Sequence, residues 1–459
     1  MTITPTGYGY TVTGLTLGTG ISASAAAANR TALQDAFNYC GTNRAPLQLP
    51  ADVIEYDNVL TVPSDLELLG RKGVTTLRLA NPPNTTSLTS NMIQFVGASS
   101  SNRVKNITIK GVIFDGNAAA QNSAFWMMYG GYYENVLLED VHFKNLWNTA
   151  INFNESDTDG PYTYTYGGIT YHLPPLPDGW QSSERLTLRR VTTDGSNQRG
   201  WVGDQVVIAR TDRVLLDNCA FKGSGQNLLA LQFCTNWEVR GGRYSDAARH
   251  IYLETCQRGR IHHASFDTLR LLDNGASSGF GGDNFVIWAS SADGTYPGAG
   301  YNGCTDIDID HNTLKYFSRS SGSGKVVGIG VTGPSASKPA TRIRVNDNTV
   351  FALNGGGGAR GIRFEGYVTS GEVHHNHVEQ VDFGMAIGDS FLTGGYPGLL
   401  TDFAADGNVV KGCGYGLSHY GSGHVNVTFV RNRLRGNSQG QQVDAAAQAN
   451  AGYFNDNLT

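Results

Sequence analysis

One motif recurs along most of this chain, and it limits the fold more than any other feature. It reads as a short strand of alternating apolar and polar residues, a tight turn holding Asn, His or Gly, and a second short strand. Copies run through RVKNITIKGVIFDGN (103–117), ENVLLEDVHFKN (134–145), ERLTLRRVTTDGS (184–196), DRVLLDNCAFKGS (212–224), NWEVRGGRYSD (236–246) and GRIHHASFDT (259–268). They continue in TDIDIDHNTLKY (305–316), TRIRVNDNTVFA (341–352), GEVHHNHVEQV (371–381), TDFAADGNVVKG (401–412) and VNVTFVRNRLRG (425–436). The tightest spacing, Phe221 to Tyr244 to Phe266, is 23 and then 22 residues, the length of one coil in a three-sheet β-helix.

A sandwich or an up-and-down barrel does not keep one motif through so many copies, and Asn-Gly separates none of these strand pairs. A leucine-rich repeat has a similar period but needs a Leu/Asn consensus that is absent. The expected fold is therefore all-β: a right-handed parallel β-helix solenoid of about a dozen coils with a short N-terminal capping helix. Composition agrees. Gly supplies 59 of 459 residues, nearly twice the usual share of roughly 7%, as many tight turns require. Charged residues are 16%, against roughly 25% in an average chain.

Residues 1–65 are expected to form a cap region containing one helix at 24–40, with Asn29 as its cap. Residues 66–459 are expected to form the solenoid, with insertions at 154–182, 272–283, 290–303 and 391–399. Asn312, Asn348, Asn376, Asn408 and Asn432 each stand two residues before an apolar position in successive copies, which predicts a column of amides bonded coil to coil. Cys234 and Cys256 fall at equivalent positions and are expected to stack as buried thiols. The six Cys contain no CxxC pair, so zinc and redox chemistry find no support. The acidic run 306–310 (DIDID) alternates and reads as a solvated strand face. The net charge of −5 gives no support for a nucleic-acid partner, which would favour a basic stripe. No apolar run is long enough to insert in a membrane, and MTITPTGYGYTVTG has neither the basic start nor the apolar core of a signal peptide.

The helix TALQDAF, the Pro-containing strand LQLPADVIEY and coils of the type ITIKGVIFDGN resemble the pectin-lyase-like superfamily over roughly residues 28–445. That resemblance implies a polysaccharide-active β-helix. The superfamily includes lyases, glycoside hydrolases, uronate epimerases and bacteriophage tailspike depolymerases, so it also implies an extracellular or virion-associated setting and raises a homotrimer. No motif carries a catalytic residue over by position.

Repeat geometry therefore has to locate the chemistry. Counting back 13 residues from Phe221, Tyr244 and Phe266 aligns Ile208, Leu231 and Leu253 as inward positions. A looser match adds Ile287, Ile329, Phe364 and Ile387. Alternation then sends Gln205, Leu228, His250 and Asn284 outward in one column. Val207, Ala230, Tyr252, Val286 and Arg363 form the next column, and Ala209, Gln232, Glu254, Trp288 and Glu365 the third. The strand RHIYLET (249–255) thus places His250, Tyr252 and Glu254 on one face, with Arg249, Asp204 and Asp283 near the corner. Trp180 closes the Tyr-rich insertion beside it, where aromatic rings would stack on the C–H faces of sugars.

Two chemistries compete there. Hydrolysis needs two carboxylates, from Glu254 with Asp283, Asp204 or Glu365. It is preferred because acidic groups outnumber basic ones in this list and because Lys and Arg are not in excess. A lyase would use His250 as base, Tyr252 as acid and Arg249 or Arg363 on a uronate carboxylate. Calcium on Asp204 and Asp283 would join only in that case; no other cofactor or metal is expected. Gln232, Asn284, Trp288, Arg249, Arg363 and Trp180 would hold the glycan. A non-catalytic glycan-binding spike or adhesin could use the same aromatics without titratable groups.

Overall fold

The computed structural model describes residues 3–80, 91–121, 125–147, 149–154, 162–166, 169–173, 182–195, 204–268, 284–290, 303–316, 326–353, 359–388, 399–419, 424–443 and 451–455. The chain divides into two compact units, Met1–Ser224 and Gly225–Thr459.

The first unit opens with an antiparallel pair, Ile3–Thr6 against Gly9–Val12, followed by the helix Ala23–Asn43. The cap of that helix is Ser22, whose hydroxyl accepts from the Ala25 amide. Asn29, the expected cap, lies buried about two turns further in. Its side chain donates to the carbonyls of Thr16 and Glu55 and accepts from the Thr16 amide, so it ties the helix to the chain on either side. The alanine run before it is an excellent helix former and carries the helix back past Asn29. Leu33, Ala36 and Phe37 are fully buried beneath the helix.

Three parallel ladders follow in this unit. The first begins at Pro46–Gln48, pairs with Glu67–Leu69 and Val104–Lys110, and runs through Tyr133–Glu139 and Ser183–Arg189 to Thr211–Asp217. Register sets Ile107, Val136, Leu186 and Val214 in one column, and all four are buried. In the second ladder, Thr76–Leu79, Ile113–Asp115, His142–Lys144 and Thr192–Asp194, Phe114 and Phe143 stack at 5.3 Å. Within the insertion 154–182, Tyr162–Tyr166 pairs antiparallel with Ile169–Leu173.

The second unit repeats the arrangement. Its first ladder runs Thr235–Arg240, Gln257–His262, Thr305–Asp310, Ala340–Asn346, Glu372–His374, Ala404–Asp406 and Val427–Val430. The expected solvated face of 306–310 is an ion-paired one: Arg342 and Arg344 hold Asp306 and Asp308, and Arg260 holds Asp310. Cys234, Cys256 and Cys304 are buried free thiols, and burial raises those of Cys256 and Cys304, the latter to about 12.

The amide column is present as expected. The side-chain nitrogens of Asn312, Asn348, Asn376 and Asn408 donate to the Oδ1 of the next Asn at 2.9–3.0 Å, ending on Asn432. Each also donates to a backbone carbonyl, and each Oδ1 from Asn348 onward also accepts a backbone amide. All five are at most 1% exposed. Removing one link strands buried donors and acceptors, each costing about 1–3 kcal/mol. Asn376→Ala should therefore lower unfolding stability by about 3 kcal/mol or more, whereas Arg344→Ala, at a solvated ion pair, should cost under about 1 kcal/mol. Chemical denaturation of the two variants measures both.

Candidate functional site

The site rests on the third ladder of the second unit, where the strands do not alternate strictly. Register aligns Arg249 with Phe285, Val327, Arg360, Phe383 and Tyr415. Two residues further, Ile251, Ile287, Ile329, Ile362, Met385 and Leu417 form a fully buried inward column. The residues between these columns also turn inward. A Cβ on Gly328, Gly361 or Gly384 would meet the side chain of core residue Val350, Val378 or Val410 within 2.8 Å. Two consecutive residues thus face the core, and outward side chains stand at positions i, i+3 and i+5.

That doubling corrects the place of His250. It occupies the inward corner, 1% exposed, with its ring edge-on to Phe266 at 6.0 Å. Phe266 itself stacks on Tyr244 in the core. Burial pushes the imidazole down to about 3, so it is neutral and faces away from the outward groups. Asn284 aligns with Val326 and, through it, with Ala359, both buried, and stands two residues from the expected match with His250.

Outward of the ladder the structure brings together most of the other expected residues. Tyr252, Trp288, Gly330 and Arg363 form one column, and Glu254, Ser290, Thr332 and Glu365 the next. Trp288 therefore stands beside Tyr252 and not beside Glu254, as alternation alone had it. Ile287 and Ile329 are likewise displaced by two, matching Ile251 and not Leu253. Gly330 leaves room for the ring of Phe285, which a Cβ there would meet at 2.5 Å. Phe285 stacks on Trp288 at 4.5 Å, and Trp288 leans on Tyr252 at 5.0 Å. The Arg249 guanidinium lies 5.0 Å from the Trp288 ring centre, and that of Arg363 lies 5.0 Å from Phe285. Such cation–aromatic contacts strengthen when desolvated.

The polar groups are linked. Gln232 donates to Glu254 at 2.7 Å. Trp288 donates to the Thr332 hydroxyl at 3.0 Å, and Thr332 in turn reaches Glu365 at 3.4 Å. Glu365 pairs with Arg363 at 3.1 Å, the two side chains 2% and 1% exposed. Arg249, Tyr252, Glu254 and Trp288 are also buried, so this is no solvated sheet face.

Two expectations about the carboxylates change. Glu254 and Glu365 share a column but are three rungs apart, about 14 Å at the usual strand spacing of about 4.8 Å. That exceeds the roughly 5–9.5 Å of a hydrolytic pair. The charge balance also reverses: Arg249, Arg360 and Arg363 stand outward on the described strands against Glu254 and Glu365. Sequence reading missed Arg360 and Phe285, because it sought i, i+2 partners where the chain uses i, i+3. Asp204 lies in the first unit, partly exposed, just ahead of the strand Val206–Ala209. Asp283 and Trp180 lie outside the described residues. Among the described residues no three His, Cys, Asp or Glu side chains converge on one metal position.

No family model and no curated protein matches the chain. Solved structures do. The A-module of an Azotobacter vinelandii mannuronan C-5 epimerase superposes over 96% of each chain, with TM-score 0.58 and 14% identity. The tailspike of E. coli bacteriophage HK620, solved with a pentasaccharide, matches 96% of this chain and 76% of its own, with TM-score 0.57 and 13% identity. PfbA, a surface adhesin of Streptococcus pneumoniae, matches 95% of this chain and 93% of its own, with TM-score 0.53 and 11% identity. The fold is a right-handed parallel β-helix.

In this β-helix the buried charges and the buried imidazole make separate demands on stability. Glu365→Ala would leave the Arg363 guanidinium without its carboxylate, and breaking a buried pair costs about 3–5 kcal/mol. A thermal melt should show a large fall, recovered in part by Arg363→Met in the same chain. His250 binds no proton in the folded state until near pH 3, whereas the unfolded chain takes one up near 6.5. Below that pH the unfolded state binds more protons, so stability falls as pH drops from about 6.5 towards 3. Denaturant titrations at pH 7 and pH 5 should show this loss, and His250→Leu should reduce the difference.

Proposed function

We propose that the chain binds a polysaccharide along the outward side chains of the third ladder in its second unit and acts on it chemically. A uronate-bearing glycan and proton abstraction fit the described residues best. One observation carries this reading: three arginines stand withdrawn from water among aromatic rings, while the two carboxylates of the same face are too far apart to flank one glycosidic bond. A guanidinium fixed in a site of low dielectric neutralises a sugar carboxylate by two parallel hydrogen bonds. It thereby favours loss of the proton from the neighbouring carbon by stabilising the enolate that forms. Glu254, oriented by Gln232, and Tyr252 are the outward groups able to move that proton. His250, expected as the base, is turned into the core.

After proton loss the chain can break by β-elimination, or the proton can return on the opposite face. The epimerase among the similar structures carries out inversion at C-5, and the tailspike holds a pentasaccharide. Both support a glycan as the partner, and the tailspike and adhesin support an extracellular or virion setting. Hydrolysis is the second reading. It is favoured by Glu254 being oriented on the outward face, and its remaining carboxylate would be Asp283.

The test is incubation with neutral and uronate-bearing polysaccharides in deuterated water. Reducing ends, the ultraviolet absorbance of an unsaturated uronate, and deuterium on the sugar are followed together. Deuterium uptake or absorbance on uronate glycans is the expected result, and Glu254→Gln or Tyr252→Phe should slow it by about 10²-fold or more. Reducing ends without either signal would replace this reading by hydrolysis. Binding with no chemical change on any glycan would leave a recognition protein.

A further inference from the structure

A second cluster stands on the third ladder of the first unit, which runs Leu60–Thr61, Asn91–Val96, Trp126–Gly131, Ile151–Phe153 and Val206–Ala209. Leu60, Ile93, Met128, Ile151 and Val206 share one fully buried inward column. Met92 and Met127, one residue earlier on their strands, are fully buried as well, so two consecutive residues again face the core. That sets Asn91 and Gln94 outward at i and i+3 on one strand, with Trp126 and Tyr129 beside them on the next. Phe285 and Trp288 have the same spacing. The Trp126 and Tyr129 rings stack with centres 5.4 Å apart and planes 23° from parallel.

The polar groups beside those rings are amides and a hydroxyl. Gln94 donates to the Thr61 hydroxyl at 3.3 Å and accepts from Asn91 at 3.2 Å. This chain of bonds starts at Asn91, whose Oδ1 is buried with no partner among the described residues. Asn91 as a whole is only 7% exposed. A buried acceptor left unsatisfied is costly, so the position favours a ligand that brings a donor. On the other side of Tyr129 stands Asn152, equally buried. No Asp, Glu, Lys, Arg or His occurs in these five strands. The face thus offers flat apolar rings, neutral amides and one open acceptor, with nothing to balance a charge.

We propose that this face is a second glycan site, one that binds a neutral sugar unit. The C–H face of a pyranose ring packs on Trp126 and Tyr129. A sugar hydroxyl donates to Asn91 Oδ1, and Gln94 and Asn152, each one rung from Tyr129, orient the ring. A uronate is rejected, because its carboxylate would lose water here without gaining a cation. The selectivity is therefore opposite to that of the arginine face in the second unit, and binding here needs no chemical step there. With no carboxylate or imidazole on the five strands, the sugar is held and not cleaved.

The experiment titrates the full chain by calorimetry with hexamers of glucose, mannose, galactose and N-acetylglucosamine, and separately with a galacturonate hexamer. At least one neutral hexamer should bind. Trp126→Ala and Asn91→Ala should each weaken that binding by about 10-fold or more, and Trp126→Phe, which keeps a ring, should lose less than Trp126→Ala. Both alanine variants should leave the galacturonate affinity and the thermal melt as they were. A chain that binds a neutral hexamer in this way but no galacturonate would count against the reading of the second unit and leave this one standing. Failure of every neutral hexamer to bind at millimolar concentration would overturn the proposal, as would neutral binding that survives Trp126→Ala and Asn91→Ala. Galacturonate binding lost together with neutral binding in Trp126→Ala would also overturn it, by making the two sites one.

Discussion

The stacking of one coil on the next through parallel backbone hydrogen bonds governs everything else in this chain. Each rung sits about 4.8 Å from its neighbour, so a residue's surroundings are set chiefly by the residues one coil before and after it. Like is therefore placed on like. Isoleucines make the inward column Ile251–Ile287–Ile329–Ile362. Asparagines that would be costly to bury alone satisfy one another from Asn312 to Asn432.

The same rule shapes the face assigned to a glycan. Outward side chains stand where the doubled inward turn leaves them, at i, i+3 and i+5, and each meets its equivalents on adjacent strands. Phe285 and Trp288 stack because the turn brings them to one side. Gly330 makes space for those rings. Arg363 and Glu365 are two residues apart on one strand and share one buried patch. Keeping such charges from water without loss of fold requires this degree of mutual support, and fixed charges of this kind can act on a substrate without reorganising first.

Much was legible in the sequence. The repeat announced the coil, the spacing of Asn312, Asn348 and Asn376 announced the ladder, and Cys234 and Cys256 fell where buried thiols were expected. Tyr252, Glu254, Arg363 and Glu365 were assigned to the correct outward columns. The errors share one cause. Strict alternation carried His250 outward, but a doubled inward position carries it into the core against Phe266. Trp288 was placed two residues out of register, and a slip of two leaves inside and outside unchanged, so the apolar pattern raises no objection.

The sequence by itself determined the class of fold, the inward columns and the kinds of residue available to a site, because burial writes its period directly into the chain. Which of those residues meet was decided only by the tertiary structure. Register between coils depends on the length and path of each connection and on the bend at each corner. Neither leaves a periodic mark: the distance from Glu254 to Glu365, the place of Trp288 beside Tyr252 and its bond to Thr332 all follow from how the coils were laid down.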